Sequence, residues 1–353
     1  MKTFLMSVGL TVAMASASLV ADDSKILHLA GTEGPGKGVK VVLISGDEEY
    51  RSEESMPMLG KILSQRHGFD CVVIFSWSED GSYIDPNNQE GLVGLEHLDD
   101  ADLMIIGTRF RKPDADGAKH IVDFLNSGKP VIGIRTATHA FNGNGAFGEI
   151  SYGQFGRRIL GEQWVNHHGK HKKEGARGVV DLETYEHPVL NGVRNIFAPS
   201  DVYGVKHLDE EEDVVLMRAA VTETLDPNSK NVEGEKNNPL QAFAWLHNYV
   251  GPNGKARGSS FCTTAGASVD LVSDDLRRII VNAAYYLVGL EVPEMNDVDY
   301  VDPFYPSFYG FIREENWYKD LNLQPSTYGL GQSPHVADPP GSPEWPFRPA
   351  PKE

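Results

Sequence analysis

Lys40-Val41-Val42-Leu43-Ile44-Ser45 is the stretch on which the fold turns. Its apolar residues are consecutive rather than alternating, the pattern of a strand covered on both faces, as in a parallel sheet. The loop Gly46-Asp47-Glu48-Glu49-Tyr50-Arg51 follows it. Residues 53–66 then place Met56, Leu59, Ile62 and Leu63 at helical spacing, with acidic residues in the first turn and Gly68 as a stop. Working outward, strands are expected at 71–75, 102–107 and 131–134, and a helix at 114–125. Strands alternating with helices imply right-handed crossovers and an α/β fold with a mostly parallel sheet.

Beyond residue 135 the pattern loosens. Strands are expected at 179–182, 214–218, 241–246 and 259–264, and a strong helix at 274–287 before Gly289. After Pro293 the chain is rich in Pro, Tyr, Phe and Gly without a period, which reads as an extended arm lying on the domain or partly disordered. The expected organisation is an export signal over 1–21, a linker over 22–38, one α/β domain over 39–290 and the arm over 291–353.

The chain of 353 residues has 50 acidic against 32 basic residues, a formal net charge of -18. Such a surface repels phosphate backbones, so nucleic acid is not an expected partner. Lys2, the apolar run from Phe4 to Ala17 and the small residues before Asp22-Asp23 read as an export signal, which places the protein in the periplasm or outside the cell. No later segment has the apolar length of a membrane helix, so no integral membrane segment is expected in the mature chain. The two cysteines, Cys71 and Cys262, sit in strand-like apolar runs and read as buried small hydrophobes.

Ligands of open parallel sheets bind outside the carboxyl ends of the strands. That rule selects four loops: the one carrying Glu48, Glu49 and Arg51; the one carrying Arg109; Arg135-Thr136-Ala137-Thr138-His139; and the one at Thr264. The densest constellation is Trp164-Val165-Asn166-His167-His168-Gly169-Lys170-His171-Lys172-Lys173-Glu174. Neighbouring histidines of a strand point to opposite faces, so only one of His167 and His168 is expected at a site, and His171 among its lysines reads as a solvated loop. His139, His167, Glu48 and Glu49 are the candidate proton-transfer residues. Arg51, Arg109, Arg135, Thr138, Asn166, His168 and Thr264 are the candidate substrate-binding residues. No cofactor is expected, with a divalent metal left open; the spacing is not that of a helical zinc motif. No nucleophile elbow with Ser or Cys and no phosphate-cradling loop occurs. The proposition underneath is geometric: Glu48, Arg109 and His139 should meet at one rim.

Taken in order, VVLISGDEEYRSEES, ADLMIIGTRFR, PVIGIRTATHAF, GEQWVNHHGKHKKEG, SDVYGV, AWLHNY and the run from TTAGA to YYLVGLE resemble ThuA-like (trehalose utilisation) proteins. The resemblance covers roughly residues 39–290. It implies a flavodoxin-like sheet with helices on both faces, of the class I glutamine amidotransferase-like kind, and a role in utilising trehalose or a related disaccharide or keto-sugar. Aligned on that fold, Arg135 stands where a nucleophilic thiol would be, so glutamine hydrolysis is excluded. The expectation is a small-carbohydrate ligand handled by general acid/base chemistry. The alternatives are a non-catalytic carbohydrate-binding accessory protein and a metal-assisted hydrolase.

Overall fold

The structure is a computed structural model that describes residues 23–352; the expected export signal lies outside the described residues. In chain order its elements are β1 (Ile26–Leu29), β2 (Lys40–Gly46), α1 (Ser52–His67), β3 (Asp70–Ile74), β4 (Leu103–Thr108), α2 (Ala115–Asn126) and β5 (Val131–Ile134). A small hairpin, β6 (Ala146–Phe147) and β7 (Ile150–Ser151), and α3 (Phe155–Ile159) follow. Then come β8 (Ala176–Val180), β9 (Ile196–Ala198), β10 (Val214–Val221), β11 (Gln241–Val250), β12 (Arg257–Thr263), α4 (Asp274–Leu287) and α5 (Trp317–Leu321).

One ten-stranded sheet carries the order β1-β3-β2-β4-β5-β12-β11-β10-β8-β9. The pairings among β3, β2, β4, β5 and β12 are parallel. Those of β1 with β3, and from β12 outward to β9, are antiparallel. The α/β class holds, but the sheet is mixed: a parallel half joined to an antiparallel half. The expected parallel half is where the sequence shows unbroken apolar runs. The antiparallel half is built by β8, β10 and β11, whose partly exposed positions relieve the demand for apolar residues on both faces. Residues 26–29, expected in a linker, form the edge strand β1.

Two cores fill the two faces of the sheet. One gathers Leu43, Ile62, Val73, Ile105 and Ile132 with Ile279 and Ile280 of α4; the other gathers Val42, Ile44, Met104 and Ile106 with Ile121 and Phe124 of α2. α1 stops at Gly68, whose φ of 81° suits only glycine well and whose N–H caps the Leu63 and Ser64 carbonyls. Of its 16 residues, 14 are buried, including Glu53, Glu54, Lys61 and Ser64. The periodicity predicts a helix with one wet face; the structure covers that face too.

The cover is the C-terminal arm. Phe304, Phe308, Tyr309, Ile312, Tyr318, Leu323, Tyr328 and Trp345 of the arm are all buried. Lys61 donates to Asp302 at 2.6 Å, and the Ser307 hydroxyl donates to Glu54 at 2.6 Å. The segment lies on the domain, as one of the two expectations for it has it. No helix among the described residues is long and apolar enough to cross a membrane.

Candidate functional site

β2, β4 and β5 run side by side in one direction, and their carboxyl ends open onto a cavity of about 500 Å³. Its wall carries Glu49 after β2, Arg109 and Phe110 after β4, His139 after β5, then Trp164, His167, His171, Lys172 and Tyr203, and finally Gly310 and Phe311 of the arm. The strand order reverses beside β2, with β3 on one side and β4 on the other, and ligands of open α/β sheets bind at such a reversal.

The floor is organised by Asp201, which is fully buried. Its carboxylate accepts from His167 Nδ1 at 2.7 Å and from His171 Nδ1 at 3.0 Å. Behind it lies Arg135, also buried, whose guanidinium donates to the Asp201 carbonyl and the Thr264 carbonyl, each at 2.7 Å. The same guanidinium lies 3.7 Å from the Tyr203 ring centre and 4.6 Å from that of Tyr50. Burial works against an ionised Asp201, yet the two imidazoles and Arg135 hold its carboxyl well below the usual range. Burial also opposes a proton on His171, but Asp201 and Glu49 raise its pKa above the ordinary value. His171 Nε2 lies 3.3 Å from Glu49 Oε1. His139 behaves in the opposite way. Burial, with Arg109 and Arg135 nearby, pushes it well below 6.5, so its ring is neutral at pH 7. Phe110 and Trp164 flank that ring at 5.1 and 5.3 Å.

Arg135 reaches its place by a left-handed turn, φ 50°, directly after β5. The turn is tight. A Cβ at Gly266 would stand 1.8 Å from Ile134 Cγ2, so only glycine fits against this strand end. The side chain turns into the protein rather than into the cavity, where it holds Asp201 and Tyr203.

The structure gathers His139, His167, Glu49 and Arg109 at the cavity wall and sends the other expected residues elsewhere. Glu48 is taken up by Arg109 and by Arg111, whose Nη2 donates to it at 2.6 Å. Thr138 is buried beneath His139, its carbonyl accepting from Trp164 N–H. Thr264 contributes its carbonyl to Arg135 instead of a hydroxyl to the cavity. Arg51 is buried off the cavity, 2.7 Å from Glu53 and donating to Tyr318 Oη at 2.6 Å. His168 faces the other way, its Nε2 paired with the Lys236 carbonyl, and Asn166 packs its side chain against Gly204. Cys71 and Cys262 are free and buried.

Sequence reasoning passes over His171, Asp201 and Tyr203. His171 is masked by lysines on both sides. Asp201 lies in a loop with no period, and its partners stand 30 to 66 positions away. The residues that the arm lends to the cavity wall, Gly310 and Phe311, have no signal beyond the aromatic content of that segment.

Two buried carboxyls near the site make a pH prediction. Burial and the adjacent Glu48 raise Asp47 from 3.8 to about 6. Burial raises Glu53 from 4.5 to about 7, against the pull of Arg51. A carboxyl raised on folding binds more protons in the native than in the unfolded state, so its contribution falls as pH climbs from the unfolded to the folded value. Each group therefore withdraws up to roughly 3 kcal/mol between about pH 4 and 7. The buried, neutral His139 works the other way over this interval in any variant that keeps it, so the Glu53 contribution is read as a difference: in urea unfolding Glu53→Gln should gain stability relative to wild type between pH 4.5 and pH 7.5. A stability difference between Glu53→Gln and wild type that stays constant over this interval removes the assignment.

No family model and no curated protein sequence matches the chain. Among solved structures, a ThuA-like protein of Parabacteroides merdae is 15% identical with a TM-score of 0.48, covering 73% of this chain and 93% of that one. One of Bacteroides uniformis is 14% identical with a TM-score of 0.45, covering 73% and 94%. The chain is similar to ThuA-like proteins. Weaker similarity extends to the GH42 β-galactosidase Gan42B of G. stearothermophilus, 8% identical with a TM-score of 0.39, covering 72% of this chain and 31% of that one. At these identities no residue role passes from any of them to this chain.

Proposed function

We propose that the cavity binds a small carbohydrate, of the trehalose, disaccharide or keto-sugar class, and acts on it by moving protons between His167, His139 and a ligand hydroxyl or carbonyl. The observation that carries this is the buried Asp201 beneath His167. A carboxylate accepting from Nδ1 sets the tautomer and leaves Nε2 as the basic nitrogen. Aromatic faces from Phe110, Trp164, Tyr203 and Phe311 with polar ends from Glu49, Arg109 and Lys172 are what a polyhydroxyl ligand asks for. Arg109, held between the Phe110 and Phe311 rings at 4.4 and 4.9 Å, is placed to stabilise a developing oxyanion.

The strand order β3-β2-β4-β5-β12, with β2 first in the chain, supports a flavodoxin-like plan for the parallel half. The left-handed Arg135 after β5 supports the class I amidotransferase-like comparison, with the nucleophile position given over to a guanidinium. A guanidinium there and two buried thiols elsewhere speak against a cysteine nucleophile for glutamine hydrolysis at this strand end. With the N-terminal segment read as an export signal, the sugar is met outside the cytoplasm.

Calorimetric titration with trehalose and with 3-keto-disaccharides, paired with product analysis, tests this. His167→Ala should reduce turnover by ~100- to 10,000-fold while the fold stays intact, and Trp164→Ala should weaken binding. Binding without turnover in wild type assigns the accessory, non-catalytic role. Absence of saturable binding to every such sugar ends the carbohydrate reading.

A further inference from the structure

We propose that His167, His171 and Asp201 hold a divalent transition-metal ion of the zinc type at the floor of the cavity. The proposal concerns the site described above and rests on the proposed function only for what the ion would act upon.

The three residues offer one ligand atom each within 4.8 Å of one another. The Asp201 carboxylate meets His167 Nδ1 at 2.7 Å and His171 Nδ1 at 3.0 Å, and the two rings stand 4.7 Å apart at 66°. Ligands bonded at about 2.0–2.2 Å to one ion lie at most about 4.4 Å apart, so the set closes on a cation by small side-chain adjustments. Two imidazoles and a carboxylate suit zinc and its first-row neighbours and leave coordination positions free for water or a ligand oxygen.

What surrounds the trio is what metal-binding histidines ordinarily have. His171 presents its second nitrogen to Glu49 Oε1 at 3.3 Å, the outer carboxylate that fixes a ligand ring. Asp201 is fixed by Arg135 from behind. The histidine loop is held on the Asp201 segment by the His168 and Gly169 N–H groups, which donate to the Val202 carbonyl at 2.8 and 3.0 Å. Gly169 permits this approach, since a Cβ there would stand 3.0 Å from Asp201 Cβ. The cation takes the Nδ1 positions, and each ring carries its proton on Nε2 instead: His171 towards Glu49, and His167 by transfer of its proton from Nδ1 to Nε2. His167 then becomes a ligand, and the proton-transfer role passes to His139, which lines the same cavity and carries no carboxylate partner among its ring contacts.

The test uses the full chain stripped with chelator and dialysed, with Zn²⁺ or Co²⁺ alone as the probe. We expect one equivalent of zinc per chain, a rise in melting temperature on adding it, and a visible cobalt spectrum. His171→Ala and His167→Gln should each weaken the ion by at least about 100-fold, and Glu49→Gln by roughly 10-fold. Asp201 is left in place because it also supports the fold. Substoichiometric zinc in wild type overturns the proposal, as does zinc binding that both histidine variants keep. A chain that takes no metal but binds a sugar overturns the ion and spares the carbohydrate reading. A metal-loaded chain that binds no sugar does the reverse.

Discussion

Arg135→Met is expected to lower the unfolding free energy by about 3–5 kcal/mol, the range for breaking one side of a buried ion pair. Arg135 is 1% exposed, so its partners face no bulk water. Its Nη1 serves two carbonyls at 2.7 Å, and its Nη2 lies 3.2 Å from both Asp201 Oδ1 and Tyr50 Oη. Removing it strands two carbonyl oxygens and leaves the Asp201 carboxylate with the His167 and His171 imidazoles as its side-chain partners among the described residues. Methionine fills much of the space between the Tyr50 and Tyr203 rings, so the loss reports charge and hydrogen bonding more than volume. The left-handed backbone is paid by either residue alike. Arg135→Lys keeps the charge but offers a point donor instead of a planar fork, and should fall between the two. Urea denaturation followed by tryptophan fluorescence measures all three. A loss under about 1 kcal/mol in the methionine variant would mean that Asp201 is neutral or already satisfied, and the ordering of the cavity floor would need another cause.

The same residue shows where sequence reading succeeds and where it stops. Val41 to Ile44 is apolar on both faces and could be placed in a parallel sheet at sight; α4 was legible to its last residue, because Leu276, Ile279, Ile280 and Ala283 repeat on one face and Gly289 ends it. Those strands led to a rim of Glu48, Arg109 and His139; the structure keeps Arg109 and His139 at the cavity and puts Glu49 there in place of Glu48. Arg135 was legible as a strand-end residue, but not the direction of its side chain, which depends on a left-handed φ and on Asp201 far along the chain. Glu48 and Glu49 are neighbours with separate fates for the same reason: one turns to Arg109 and Arg111, the other towards His171. The antiparallel half was only partly legible. β11 runs to Val250, four residues past the expected end, because His247 and Asn248 on its wetter stretch break the apolar run while the backbone ladder to β12 continues. α1 misled in one respect. Its polar face looked solvated, and nothing local announces that Glu54 and Lys61 have partners in the arm some 240 to 250 positions away.

That arm carries the other large effect. A chain ending at Leu290 should fail to give a soluble, cooperatively folded domain. The loss is not the summed burial of the arm, since deleting 63 residues also removes their ordering entropy. What decides is the surface left behind. Arg51 loses the Tyr318 hydroxyl at 2.6 Å, Lys61 loses Asp302, Glu54 loses both Ser307 contacts, and His67 Nε2 loses the Asp297 carbonyl at 2.7 Å. Arg277 loses the Val298 carbonyl at 2.9 Å. Phe75 and Tyr50 lose the stacked rings of Tyr328 and Tyr309, at 5.8 and 5.1 Å, and become apolar surface beyond the carboxyl ends of β3 and β2. Several unpaired groups at about 1–3 kcal/mol each approach the whole stability of an ordinary domain, about 5–15 kcal/mol. The cavity would lose its Phe311 wall as well. Because an insoluble truncation alone says little about cause, Phe308→Ala in the full chain is the quantitative arm: this residue is fully buried, and the substitution should lower stability by about 3–5 kcal/mol with the chain still folded. Size-exclusion chromatography, dye binding and urea unfolding read the outcomes. A monomeric 23–290 fragment that unfolds cooperatively near the full-length melting temperature, with Phe308→Ala neutral, would make the arm a passenger, and the burial of α1 would then have to be explained without it.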